Sequence, residues 1–531
     1  MIGSKGAAAR NIMIACLIVL AGIAIRVAFG GMKDTYHIDE GYSAALTNGD
    51  WVPGKDTARH DEWLKGGDLF AHCFSDTLAA AGKPDYRAIT AATALDVHPP
   101  LYYWLFAATR ATLGPARFAF AGYALNLLLF AISCALVSLI AWRAWRDWYS
   151  LFIALALFAF SSTSISLTIF IRMYELLQTV CLAFLASALF VIVPPKAGKA
   201  RSAAIACGIA GLFVASFLGL MTQYYFLFFV APVALCAFAW LIAKRRFGSL
   251  LWGILAVAAG LYLAYRAFPE MATHLTASYR SEQSVENLVK ASFAQKLDNL
   301  FAFLKILGAN LVPFIVLAAI AVLAVVLRVR GGKSKAADGT GRPARRGDAE
   351  IALFVVSLAV FVFTFAIISV SAPYRTARYI GSFFPVYGLA FVGFTRLVLP
   401  LKSARVMLGA AALIVLVHGV FPQNACDFHE DYSLGANPSY MRDPKPVILI
   451  ATPEGGSWKN MLPYLNIGKD KRIYVTSEDM SKSVYDKILD IARSSGEKEV
   501  YAIVDDYFRK QPAFEQIGYY GFYYVYRVTV K

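Results

Sequence analysis

Charge is what this chain has least of. Only 16% of its 531 residues are Asp, Glu, Lys or Arg, well short of the share carried by a soluble domain. That scarcity excludes an ordinary soluble globular protein. Signatures of nucleotide chemistry are missing too. No G-x-x-x-x-G-K-[ST] loop and no strand–G-x-G-x-x-G–helix unit occurs, and Gly455-Gly456 after an expected strand is too sparse to stand for one. Metal-ligand spacing is equally thin: the 7 histidines include no His-x-x-x-His pair. Of the 7 cysteines, Cys16, Cys134, Cys181, Cys207 and Cys236 sit inside apolar runs, where a thiol behaves as a small hydrophobe. Cys73 and Cys426 fall in polar segments and would pair only if both face an oxidising compartment. Acidic residues are outnumbered, giving a formal charge of +16. No base-reading motif accompanies that excess, so nucleic acid is not a partner.

What is present is hydrophobicity in long runs. Hydrophobic residues make up 58% of the chain, and mean hydropathy is +0.55. The runs fall near 11–30, 116–142, 148–170, 174–194, 202–221, 225–243, 248–268, 300–327, 351–371, 381–399 and 406–422. Each is about the length that spans a bilayer, roughly 20 residues. The expected fold is a polytopic α-helical membrane protein with about eleven crossings. The first run follows Lys5 and Arg10 and reads as a retained helix, because no small-residue cleavage site follows it.

The basic clusters order these runs. Arg143 and Arg146, Lys196 to Arg201, Lys244-Arg245-Arg246, the Gly-rich loop 328–346, and Lys402 with Arg405 all fall at one end if the runs alternate. Lys and Arg gather on the cytoplasmic side. Residues 31–114 then form a first outer loop with interfacial helices, including a stretch opened by His98-Pro99-Pro100. Residues 1–423 form the membrane domain. Beyond it, 424–531 turn polar and alternate strands (446–451, 472–476, 499–504, 522–530) with a helical pattern at 481–495. That pattern reads as a small α/β domain on the outer side.

With this topology, Asp39, Glu40, His98, Arg172, Glu175, Arg375 and Arg378 all belong to the outer face. Carboxylates at a membrane boundary are expensive unless paired or in use. Arginines grip phosphate through planar, charge-assisted bonds. Tyrosines present flat faces and a hydroxyl to sugar rings; the candidates are Tyr36, Tyr42, Tyr102, Tyr103, Tyr174, Tyr374 and Tyr379. A carboxylate beside a hydroxyl can take its proton. Each feature also has a plainer reading. Asp39-Glu40 fits a solvated loop pair, and His98-Pro-Pro a helix start. Arg172 and Glu175 fit a local ion pair, and Arg375 and Arg378 fit snorkelling interfacial residues. His37, His60 and His72 suit a solvated loop, or a divalent metal.

Taken in order, Asp39-Glu40, His98-Pro-Pro-Leu-Tyr-Tyr-Trp104, Arg172-Met-Tyr-Glu-Leu-Leu177, Thr222-Gln-Tyr-Tyr225 and Arg378-Tyr379 resemble the protein O-mannosyltransferase-like family of the C-type glycosyltransferase superfamily, which includes the lipid A aminoarabinose transferases. The resemblance covers about 1–420. His98 stands where the aminoarabinose transferases have a lysine before Pro-Pro. The resemblance implies a C-type glycosyltransferase fold in a bacterial inner membrane, facing the periplasm. It implies a polyprenyl-phosphate sugar donor and inverting transfer to a hydroxyl of an envelope glycan, glycolipid or protein; such a reaction needs no nucleotide at the active site, and no cofactor is certain, with a divalent metal open. Asp39 would be the base, Glu40 would orient it or bind substrate, and His98, Arg172, Arg375 and Arg378 would meet the phosphate. Three other readings share the layout: a flippase for lipid-linked sugar, an oligosaccharide ligase using a diphosphate donor, and a non-catalytic assembly partner of another glycosyltransferase.

Overall fold

The computed structural model describes residues 2–32, 37–49, 61–68, 83–114, 118–195, 198–306, 347–372, 375–421, 443–451, 470–478, 484–505, 508, 513–520 and 523–530. Eight helices among them are long and apolar enough to cross a membrane: Gly6–Met32, Ala119–Trp145, Tyr174–Ile192, Lys199–Leu220, Phe226–Ala243, Phe247–Ala267, Asp348–Ser371 and Leu401–Gly419. The chain is a multi-pass membrane protein. Two further expected runs are helical but not single straight spans. Residues 148–170 divide into Trp148–Ala159 and Ser162–Ile169, bent by 52°. Residues 381–399 yield the 15-residue Phe384–Val398 after one turn, Arg378–Gly381. Most of the expected run 300–327 and the basic loop 328–346 lie outside the described residues.

The break at Phe160 has a local cause. Ser161 leaves helical geometry and its hydroxyl accepts from Ser164 N–H, starting a new helix. A carbonyl freed inside a membrane must find a donor. Arg26, 2% exposed, supplies it to Ala159 O at 2.7 Å. The same guanidinium donates to Ser164 Oγ (2.7 Å) and Thr168 Oγ1 (2.9 Å) and stacks over Phe130. Gly419 crosses the bend so closely that a Cβ there would meet Phe160 O at 1.8 Å, so no larger residue fits.

The basic ends of the helices gather as the charge pattern requires. Arg396 pairs with Glu350 (2.8 Å) and Asp147 (3.1 Å), and Lys244 with Asp348 (2.9 Å). Arg246 donates to Ile192 O at 3.0 Å. These partners end or begin different spans, so the expected alternation of direction holds.

The C-terminal region is a six-stranded sheet, ordered β1-β3-β2-β4-β6-β5. β2 (Val447–Ala451), β3 (Arg472–Ser477) and β4 (Glu499–Asp505) are parallel neighbours; β5 (Glu515–Tyr520) and β6 (Tyr523–Thr529) add antiparallel strands. One face, with Ile448, Ile450, Val500 and Val504, packs on the helix Tyr485–Ser494. The other, with Leu449, Val475 and Ile503, joins the apolar cluster of the membrane helices. Four strands occur where the sequence placed them.

The sixth strand comes from elsewhere. β1 is Trp63–Lys65 of the first loop, antiparallel to β3. Trp63 Nε1 donates to Ser494 Oγ, and Thr476 Oγ1 donates to Asp61 Oδ1 at 2.7 Å. A boundary at 423/424 therefore does not separate the two parts cleanly. A three-residue strand about 410 positions upstream of its partner strand leaves no local signal.

Candidate active site

The helix Ile38–Asn48 begins where the first span ends, and its start is held by a capping box. His37 Nδ1 accepts from Asp39 N–H (3.0 Å), and Glu40 Oε2 accepts from His37 N–H (2.7 Å). Glu40 Oε1 accepts from Ile171 N–H at 2.8 Å, and the residue is wholly buried. Both carboxylate oxygens thus join the helix start to the backbone beside Arg172. At the far end Gly49 has φ +74° and lies against Ala88, where a Cβ would come within 2.6 Å.

Asp39, one residue before Glu40, points the other way. Its Oδ2 accepts from Arg378 NH1 at 2.5 Å. Arg378 opens the single turn before Phe384–Val398, so the pair joins the first loop to a residue 339 positions later. Arg172, in the non-helical link between Ile169 and Tyr174, donates to Tyr103 Oη (3.1 Å) and Ser43 Oγ (3.4 Å). His98 links both sides: Nδ1 lies 2.8 Å from Asp96 Oδ2, and Nε2 faces Arg172 NH2 at 3.4 Å. A carboxylate on Nδ1 and a guanidinium on Nε2 require the neutral Nδ1–H tautomer.

Electrostatics follow the same lines. Burial by itself would raise the Asp39 pKa, but Arg378 and Arg172, with His37 and His98, outweigh it and hold the carboxyl well below the usual carboxylate range. Burial lowers the His98 pKa, against the pull of Asp96. Arg172 is buried, yet Tyr103, Asp39, Tyr174 and Asp96 raise its pKa and keep it charged. Its Nε is buried with no hydrogen-bond partner among the described residues.

These side chains open on a cavity of about 330 Å³. Asp39, His98, Arg172, Arg280 and Arg378 line it, together with the apolar Leu227, Phe228, Leu288 and Ile367. Tyr174 and Tyr379 are at its edge. A larger cavity of about 480 Å³ lies elsewhere, among apolar side chains only.

The expected site residues divide. Asp39, His98, Arg172, Tyr174, Arg378 and Tyr379 share the cavity. Tyr103 stands behind Arg172, and Tyr102 hydrogen-bonds Asn126 inside the core. Glu175 is wholly buried and accepts from Thr168 and Gln178, on the side of Arg26 rather than Arg172. Its neighbour across the bend, not its sequence neighbour, is its electrostatic partner. Arg375 is half exposed and pairs with Asp298 at 2.5 Å, away from the cavity lining. Tyr42 is also outside the lining. Tyr36, Tyr374, His60, His72, His429, Cys73 and Cys426 lie outside the described residues.

Several participants were not foreseen. Asp96 stands two residues before His98, a spacing that puts a carboxylate on the imidazole. Arg280 sits in the short helix Tyr279–Val285, in a polar stretch with nothing in the sequence to distinguish it. His274 Nε2 is 3.1 Å from Ala94 O and its Nδ1 2.8 Å from Tyr224 Oη, joining the cavity wall to the helix Tyr86–Leu95. Among the described residues no group of three or more His, Cys, Asp or Glu is placed to hold a metal ion.

Comparison with known proteins gives likenesses of structure. No family model and no curated protein matches the chain. ArnT from Cupriavidus metallidurans, solved bound to undecaprenyl phosphate, aligns at 12% identity and a TM-score of 0.47, covering 98% of each chain. The Archaeoglobus fulgidus oligosaccharyltransferase, in its apo form, aligns at 10% identity and a TM-score of 0.43 over 93% of this chain and 69% of its own. The same archaeal protein, AglB, in complex with an inhibitory peptide and a dolichol-phosphate, aligns at 10% identity and a TM-score of 0.45.

Proposed function

We propose that the chain is an inverting glycosyltransferase that moves a sugar from a polyprenyl-phosphate donor to a hydroxyl acceptor. The reaction would take place on the face of the cytoplasmic membrane away from the basic helix ends. One observation carries this reading. A carboxylate, Asp39, and three arginines, Arg172, Arg280 and Arg378, line one cavity together with apolar side chains. A lipid-linked phosphate sugar matches both kinds of lining: an anionic head joined to a hydrocarbon tail.

The residues then take distinct parts. Asp39 removes the proton from the acceptor hydroxyl as its oxygen attacks the anomeric carbon. The bond from that carbon to the phosphate oxygen breaks, and the electron pair leaves with the lipid phosphate. Negative charge grows on the phosphate, where Arg172 and Arg378 stabilise it. Arg172 Nε has no hydrogen-bond partner among the described residues. His98 is neutral toward Arg172, so it aims the guanidinium rather than adding charge. Glu40 holds the helix start that presents Asp39.

The Asp39–Arg378 pair fits an ordered reaction. With Arg378 on it, Asp39 is too acidic to be a good base, since a base works best with a pKa near ambient pH. A phosphate drawing Arg378 away would raise the basicity of Asp39 as the donor arrives.

Membranes given a radiolabelled polyprenyl-phosphate sugar test this. The wild type should yield labelled product and free polyprenyl phosphate, and Asp39→Asn neither. Normal turnover by Asp39→Asn, or passage of the labelled lipid across the bilayer without release of polyprenyl phosphate, would overturn the reading.

A further inference from the structure

The second cavity shares no lining residue with this site. It is a groove of about 480 Å³ between Tyr174–Ile192, Lys199–Leu220, Phe226–Ala243 and Phe247–Ala267, within the range of small-molecule sites, about 300–1,000 Å³. Small residues make the room: Ala188, Ala231, Ala234 and Gly253 line it beside Ile192 and Ile254. Leu235 and Ile254 are open to the surroundings, so the groove faces the bilayer.

Arg246, at the basic end of the bundle, adjoins the groove: its backbone N–H donates to Leu241 O (2.8 Å) and its NH1 to Ile192 O (3.0 Å), both groove residues. NH2 donates to Ser249 Oγ. Burial lowers the Arg246 pKa, and nearby Arg201 lowers it further. Arg245 adjoins it in the left-handed region, φ +54°. Among the described residues no carboxylate pairs with Arg201, Arg245 or Arg246, although Lys244 and Arg396 nearby do have acidic partners. Two guanidinium groups close enough to repel, left without an acid above a hydrocarbon-lined slot, fit an anion with an apolar tail.

We propose that this groove binds an anionic phospholipid of the leaflet at the basic end, with an acyl chain along Ala188, Ala234 and Ile254 and the phosphate on Arg201 and Arg246. The site is separate from the Asp39 cavity and needs no glycosyl donor. A lipid there would fill the groove that these four spans leave open.

The test uses the full chain, purified and offered phosphatidylglycerol or phosphatidylcholine of the same chain length, with retained lipid read by native mass spectrometry. Each arginine facing a net anionic headgroup is worth roughly fivefold, so phosphatidylglycerol should be retained in preference to the zwitterionic phosphatidylcholine by roughly 25-fold. The double change Arg201→Gln and Arg246→Gln should bring the two lipids to parity, and Arg201→Lys with Arg246→Lys should keep most of the preference. Ala234→Phe, which fills the groove without touching the arginines, should reduce retention of both lipids. Equal retention of the two lipids by the wild type would overturn the proposal. So would an unchanged preference in the glutamine variant or unchanged retention by Ala234→Phe. Displacement of phosphatidylglycerol by equimolar polyprenyl phosphate would assign the groove to the donor lipid instead. None of these outcomes depends on transfer activity.

Discussion

Glu40→Gln separates architecture from chemistry at this site. Both oxygens of the wild-type carboxylate accept backbone N–H groups, from His37 at 2.7 Å and from Ile171 at 2.8 Å. Glutamine keeps one acceptor and turns an NH2 donor toward the other amide. One charge-assisted bond is lost and one buried N–H is left unmade, and the favourable charge at a helix N-terminus goes as well. Together these cost about 3–5 kcal/mol. The damage falls on the join between Ile38–Asn48 and the link that carries Arg172. The purified variant should melt several degrees lower than the wild type. Transfer should fall because Asp39 and Arg172 no longer hold their spacing, and the KM for donor should rise along with the fall in kcat. Glu40→Gln that melts like the wild type would refute this account of the join. Loss of kcat with wild-type melting and wild-type KM would place Glu40 in the chemistry itself.

Asp39→Asn should lower turnover by about 10²–10⁴-fold if the carboxylate is the base, while donor affinity measured by equilibrium binding stays within a few fold. Because the Asp39 pKa is depressed, the carboxylate is ionised in the free enzyme throughout the neutral and mildly acid range. The contribution of its ion pair to stability is present above the unfolded carboxylate range and lost only as pH falls through the folded value. A kcat/KM profile should therefore show no acid limb near the ordinary carboxylate pKa; a limb there would contradict the Arg378 pairing. Arg26→Leu leaves Ala159 O and Ser164 Oγ without their donor and Glu175 without its nearby charge. A loss of about 3–5 kcal/mol, typical of breaking a buried ionic network, should appear in thermal melts, and a melt equal to wild type would mean that the bend satisfies itself. In the C-terminal sheet, burial lowers the Lys471 pKa to about 8. Above that value the unfolded chain holds a proton that the folded one has released, so stability should rise with pH from about 8 to the ordinary lysine value, about 10.4. Denaturant melts should show this rise, and Lys471→Met should abolish it.

The long runs, their alternation and the strand–helix alternation after residue 423 were legible because they are periodic and local. Hydrocarbon length sets the runs, and charge cannot cross lipid cheaply, so basic clusters mark one end whatever the packing. Candidate residues were legible where chemistry made them conspicuous: Asp39, His98, Arg172 and Arg378 are polar groups at the ends of apolar runs. Their geometry was not. Which oxygen of the Asp39-Glu40 pair faces a ligand depends on the capping box and on Ile171, a partner 131 positions away. Arg375 and Arg378 share one segment, yet Arg375, ahead of the turn Arg378–Gly381, pairs with Asp298 at the surface, and Arg378, at its start, pairs with Asp39. Glu175 turns to Arg26 rather than to Arg172 because the chain bends at Phe160. The edge strand Trp63–Lys65 belongs to a sheet whose other strands lie hundreds of residues later. The sequence by itself determined the solvent, the element types and the stock of chemical groups, since each depends on neighbours along the chain. Only the tertiary structure decided which of those groups meet, since burial and hydrogen bonding are settled by partners distant in sequence.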